Sequence, residues 1–225
     1  MKTPQFLIAL AAMTGVMYPT AASATELPRS APVNDPIAAP QRITSIPIAG
    51  AAAVVAFWRK AGAGLWFAKD DAFDRRFREH FLSLYEAAAR GELGGWLATA
   101  EGALGLVVLL DQFPRNAFRG TPRMYAADAL AREVATAAID AGHDRAVPME
   151  LQLFFYLPFG HSENLNDQER SVALAQRLGQ PNVSHAERHR DIIQRFGRFP
   201  HRNPILGRTM RPEEQHFLDE GGYAG

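Results

Sequence analysis

Three short stretches of this 225-residue chain set ionisable and hydrogen-bonding side chains beside prolines and glycines that constrain the backbone. The first is Asp111-Gln112-Phe113-Pro114-Arg115-Asn116, directly after an apolar run. Pro114 is expected to stop a helix there and present the four polar side chains around a fixed bend. They then act either as a helix cap, with Asp111 paired to a nearby arginine, or as ligand-binding groups. The second is Tyr156-Leu157-Pro158-Phe159-Gly160-His161-Ser162-Glu163, followed by Asp167 and Gln168. His161 and Glu163 flank an expected helix start, where the dipole favours a carboxylate or a bound anion. A histidine beside two carboxylates is suited to proton transfer or to metal ligation, and a plain N-terminal cap is the competing account.

The third stretch is Phe196-Gly197-Arg198-Phe199-Pro200-His201-Arg202-Asn203, continuing to Leu206-Gly207-Arg208. From Ile192 to Pro212 there are five arginines, at 195, 198, 202, 208 and 211, and no acidic residue. Guanidinium groups in such a loop can grip a phosphate or carboxylate with two parallel hydrogen bonds. Alternatively Asp111, Glu163 and Asp167 are their partners in a buried ion-pair network. Phe196 and Phe199 read as core anchors. His185 and His189 stand four apart, a spacing that can chelate zinc, but no flanking motif or third ligand accompanies them, so no metal is assigned.

The elements that must position these groups are helices. Phe73, Phe77, Phe81, Leu84, Tyr85 and Ala88 recur at spacings of three and four behind Asp70-Asp71, predicting an amphipathic helix that ends at Gly91. Trp96, Ala100, Leu104, Val107 and Leu110 continue the period, with a buried strand over 106–110 as the alternative. Thr121-Pro122 predicts a helix start that runs to Gly142, Pro148 and Pro158 bracket another helix, and Ser162 is expected to cap the next, which runs to Gly179. Ser184 with Glu187 forms an expected capping box for a helix from His185, and Pro212-Glu213-Glu214 starts the last. The pattern predicts an all-α, single-domain antiparallel helical array over 51–219, with 220–225 a flexible tail.

Composition narrows the setting. Twenty-four basic and 24 acidic residues cancel, so no global field draws the chain to nucleic acid. Residues 1–24 carry Lys2, an apolar stretch from Phe6 to Val16 and the small Ala22-Ser23-Ala24, a secretory signal peptide in pattern. Cleavage would leave 23 basic against 24 acidic residues. The expectation is an exported protein, periplasmic or secreted, without stable membrane insertion after cleavage; an uncleaved anchor is the alternative. Residues 25–50, with prolines at 28, 32, 36, 40 and 47, read as a disordered tether. With no cysteine, the fold has neither disulfides nor thiolate chemistry.

Taken together, Leu109 to Asn116, Tyr156-Leu157-Pro158 with His161-Ser162-Glu163, and His189 leading to Phe196 through Asn203 resemble a bacterial domain-of-unknown-function family, number 924, from about Ala51 to Leu218. The resemblance implies a tetratricopeptide-like helical fold and brings no activity or cofactor with it. Two features depart from it. The export signal and tether are additions, and Met210-Arg211 stand where the family usually has a Ser-Thr pair before Pro212. Loss of that cap is expected to weaken the last helix by about 1 kcal/mol.

Three functions remain open at this level. In the first, Asp111, Gln112, Arg115, Asn116, His189, Arg198, Arg202 and Asn203 bind a small anion or acidic peptide. In the second, the same cluster performs acid-base or hydrolytic catalysis, with Glu163 or Asp111 as base and His161 or His201 as proton donor. In the third, the motifs only hold a structural or partner-binding helical array together.

Overall fold

The computed structural model describes residues 49–225. The expected signal peptide and all but the last residues of the tether lie outside the described residues. Every regular element within them is helical. Helix α1 (Ala49–Ala61) and the short α2 (Ala63–Trp66) lead to α3 (Asp71–Ala89). Asp70 caps α3 by accepting from the Phe73 backbone N–H at 2.7 Å, as its position before the apolar stripe implies. Phe73, Phe77, Phe81, Tyr85 and Ala88 of that stripe are buried. They meet Phe57 and Trp58 of α1 and, with Phe113 and Phe154 from later helices, form an aromatic core of stacked and edge-on rings. Helix α1 lies close against the later helix that carries Gly105, because Gly105 has no side chain to meet the Ala51 backbone; a Cβ there would sit 3.2 Å from the Ala51 carbonyl oxygen.

The apolar run around Leu106 to Leu110 is helical, not a strand. Helix α4 (Ala100–Val107) continues without a break through a π-turn (Val108–Gln112) into α5 (Phe113–Ala117). Pro114 therefore does not stop the helix as expected. A proline ring collides with the carbonyl four residues back in a regular helix, and the widened turn makes room for it, with the Phe113 N–H reaching the Val108 carbonyl five residues back. Pro158 likewise lies inside α7 (Met149–Gly160) and does not end it. The helix expected from Thr121 begins later, as α6 (Asp128–Asp140), after a 3-10 turn over Pro122–Tyr125. Thr121 spends its hydroxyl on the Phe118 carbonyl at 2.8 Å, so it does not cap a helix.

Two further expected caps are displaced. Ser162 donates to Asp167 at 2.6 Å, and the Asn164 side chain instead caps α8 (Leu165–Ala175) by accepting from the Asn166 N–H at 2.8 Å. Helix α9 (Asn182–Phe196) starts before Ser184, whose hydroxyl donates to the Gln180 side chain at 2.7 Å. Helix α10 (Pro212–Asp219) begins at the expected proline. Glu214 binds back to its start, its carboxylate accepting from the Arg211 N–H at 2.8 Å, while among the described residues no side chain accepts from the first-turn N–H groups that a Ser or Thr before Pro212 would cap. Helices α6 to α9 pack each on its successor through short connections, an all-α array. After α10, Gly221 (φ 83°) and Gly222 turn the chain back so tightly that a Cβ on Gly222 would lie 2.5 Å from the Phe217 carbonyl oxygen. That turn brings Tyr223, in the segment expected to be a flexible tail, against His189 and His201.

Candidate functional site

Asp111 lies in the π-turn within the continuous α4–α5 helix, completely buried. Its Oδ1 faces His161 Nδ1 at 2.8 Å and its Oδ2 accepts from Gln112 at 2.6 Å. Arg115, one turn on, approaches Asp111 Oδ1 at 3.3 Å and bonds its carbonyl at 2.7 Å. Burial by itself would raise the Asp111 carboxyl, but Arg115, His161 and the Gln112 hydrogen bond outweigh it and hold the group at about 2. Asp111 is thus a carboxylate throughout the physiological range, and it fixes the ring of His161 at the C-terminal end of α7. Among the described residues His161 Nε2 has no hydrogen-bond partner. Burial first, and then Arg115, push the His161 imidazolium below its ordinary pKa, so a neutral ring donates through Nδ1 and keeps the Nε2 lone pair free.

Arg115 is shared with Asp128 of α6, at 2.9 and 3.2 Å. Arg202 enters the same region from the loop after α9. One Nη2 hydrogen bond of 2.9 Å caps α7 at the His161 carbonyl, and its guanidinium lies between the rings of Tyr125 and Phe199, 4.6 and 4.5 Å from their centroids. Its side chain is only 8 % exposed, yet its nearest carboxylate, Asp128, is 3.7 Å away, and its Nε has no partner among the described residues. Both aspartates are committed to Arg115 at shorter range, so Arg202 is the less neutralised cation.

His189 and His201 register that surplus. Burial, together with neighbouring charged groups that include Arg202, brings His189 to about 3 and His201 to about 4. Both rings are neutral at pH 7. Tyr223 covers them, 4.6 Å from His189 and 5.2 Å from His201 between centroids. His201 Nδ1 is buried and unpartnered among the described residues. Gln168, also fully buried, holds the end of α7 by donating to the carbonyls of Gly160 and Ser162 at 2.9 and 2.6 Å.

The sequence-expected residues thus divide. Asp111, Gln112, Arg115, His161, His189, His201 and Arg202 meet around the end of α7. Glu163 does not face this cluster as a free base: its carboxylate takes two hydrogen bonds from Arg208, at 2.7 and 3.0 Å, and one from the Phe199 N–H at 2.8 Å. Arg198 and Asn203 turn the other way, to Glu214, at 2.6 and 3.0 Å. Asn116 donates to Asp74 of α3 at 2.7 Å. These four are fastened in ion-pair and hydrogen-bond knots between elements.

Sequence reasoning missed Tyr125, Asp128 and Tyr223 as parts of the cluster, and Glu214 as the hub of the second knot. Each stands alone in its own segment, so no local spacing signals it. Tyr223 had the clearest signal, an aromatic after two glycines. Away from the cluster, buried Asp144 accepts from Tyr156 of α7 at 2.8 Å and from Arg177, just beyond α8, at 3.2 Å.

In comparison with known proteins, the family model described as bacterial protein of unknown function (DUF924) matches residues 54–222. The chain is similar in structure to a protein of unknown function from Agrobacterium tumefaciens, with 57 % sequence identity and a TM-score of 0.76, covering 77 % of this chain and 98 % of that one. No curated protein matches.

Proposed function

The chain belongs to the DUF924 family of bacterial proteins of unknown function, and from the site alone we propose that it binds a small anion at the end of α7, with Arg202 as the principal contact. The observation that carries this reading is the state of Arg202: buried between two rings, 3.7 Å from its nearest carboxylate, with an unpartnered Nε. Sequestering a guanidinium costs free energy unless an anion meets it, and an arginine fork with an open edge matches a carboxylate or phosphate. His189, His201 and the hydroxyl groups of Tyr125 and Tyr223 surround that position with neutral hydrogen-bonding groups that can select among anions. Titration of the full chain with acetate and with inorganic phosphate, followed by NMR of the arginine and histidine side chains, tests it. An anion should move the Arg202 and His189 resonances together, and Arg202→Lys should weaken binding at least tenfold. Spectra indifferent to both anions would end the proposal.

A second reading, acid-base catalysis at the same place, has one specific observation in its favour. Asp111 holds His161 by Nδ1 and leaves Nε2 unbonded, the orientation of a general base. Glu163 drops out of that role because Arg208 occupies it. Nitrogen shifts of the His161 ring test this, since a proton resident on Nε2 would remove the lone pair on which the reading depends. The N-terminal pattern extends the proposal to an exported protein whose ligand is met outside the cytoplasm. A mature chain beginning at Thr25 by mass spectrometry would support it, and an intact Met1 in the cell envelope would point to the anchor.

A further inference from the structure

Beside the anion site, and sharing two of its walls, a groove of about 540 Å³ runs between α9 and the segment that follows α10. Its volume lies within the range that takes a small organic molecule. Ile192, Phe196 and Phe217 supply apolar surface, and the Arg195 guanidinium lies 4.6 and 5.8 Å from the two phenyl centroids. The inner end is formed by His189 and Tyr223, the same rings that border the cluster around Arg202. Tyr223 has the two-sided character that such a junction needs: its ring is part of the groove, while its hydroxyl lies within the field of Arg202 and Arg115. The electrostatic lining is one-sided. Arg188 and Arg195 border the groove, and Asp191 is its sole acidic residue among those described.

Resting on the anion-binding reading above, we propose that the ligand is an amphipathic carboxylate, its head on Arg202 and its aliphatic tail in the groove along Ile192, Phe196 and Phe217. An apolar groove that ends at the His189 and Tyr223 rings, which also border the cluster around the under-neutralised Arg202, and that carries arginines along its edge, suits a molecule that is anionic at one end and hydrocarbon at the other. A small dianion or a sugar phosphate would leave the phenyl rings in water. A basic or neutral peptide would meet Arg188 and Arg195 without compensation.

The test is a homologous series of acetate, butyrate, hexanoate and octanoate, each below its micellar concentration, titrated calorimetrically into the full chain. Binding should strengthen about three- to fourfold with each methylene that enters the groove. Phe217→Ala should flatten that increase, together with some loss of melting temperature because its ring packs on Phe196. The wild-type series decides the matter even if the variant folds poorly. Equal affinity for every length would overturn the tail site and leave the anion site standing. Binding of phosphate but of no carboxylate would overturn the carboxylate head. Failure of every anion would overturn the Arg202 reading itself, and the tail with it. A dimer in sedimentation that Phe217→Ala dissolves would give the groove to a second copy of the chain and sink the proposal.

Discussion

Replacing Asp111 by Asn would leave the Arg115 and His161 side chains against a neutral amide in a site closed to water. Removing one member of a buried ion pair costs about 3–5 kcal/mol when the other charge is stranded; Arg115 keeps Asp128, so chemical denaturation of the variant should show a loss at the lower end of that range. Glu163→Gln should cost far less, about 1 kcal/mol, since Glu163 and Arg208 are 26 % and 24 % exposed and water compensates part of what is lost. The histidines set the response to acid. In the unfolded chain they titrate near 6.5, whereas His189 and His201 in the fold titrate at about 3 and about 4. Between those values the unfolded chain binds more protons, so stability is complete above 6.5 and falls as the pH drops toward 4. Thermal melting across that window should show a steady decline, steeper than in a His189→Gln variant.

At the scale of elements, the contact between α7 and α8 depends on Gly160. A Cβ there would lie 3.0 Å from the Ser171 hydroxyl oxygen and 3.7 Å from His189 Nδ1. Gly160→Ala gains helix propensity of up to about 1 kcal/mol but overpacks a tight contact, at a cost of about 1–3 kcal/mol. The net should be destabilising, and Ser171→Ala should recover most of it in a double-mutant cycle. Glu214→Gln should release α10 from the loop at 198–203, because one buried carboxylate accepts from Arg198, Arg211 and Asn203. Faster amide exchange over 212–219, with α3 and α4 unaffected, is the expected signature. The helices themselves were legible where hydrophobic period and cap agree, as in α3 behind Asp70. Pro114 and Pro158 were misread as stops because a proline is a local signal, while the widened turn and the aromatic packing that accommodate it are tertiary. Ser162 and Ser184 were misread as caps because their hydroxyls bond the Asp167 and Gln180 side chains, Asn164 caps α8 and α9 starts before Ser184, choices that spacing alone does not rank.

For the whole molecule, the cluster draws on α5, α6, α7, α9 and the segment beyond α10, so an anion bound there would tie these elements together and raise the melting temperature by mass action. The same anion would raise the depressed pKa values of His189 and His201. Binding should therefore take up protons and strengthen as the pH falls from the raised, anion-bound values toward the free ones of about 3 and about 4, provided the ligand itself stays ionised; calorimetry in buffers of different ionisation enthalpy would detect it. Convergence of the three motifs was legible in outline from their residue types. Which arginine is committed internally was not, since the five lie in one loop and only the three-dimensional partners separate Arg198 and Arg208 from Arg202. The π-turn at Val108–Gln112 carries a last consequence. It is equivalent to one extra residue in the helix, so deleting a single position, Leu109 for example, would restore a regular spiral. Everything upstream would then rotate by about 100° relative to Asp111. Such a shortened chain could keep either the seating of α4 against α1 or the bond from Asp111 to His161, but not both.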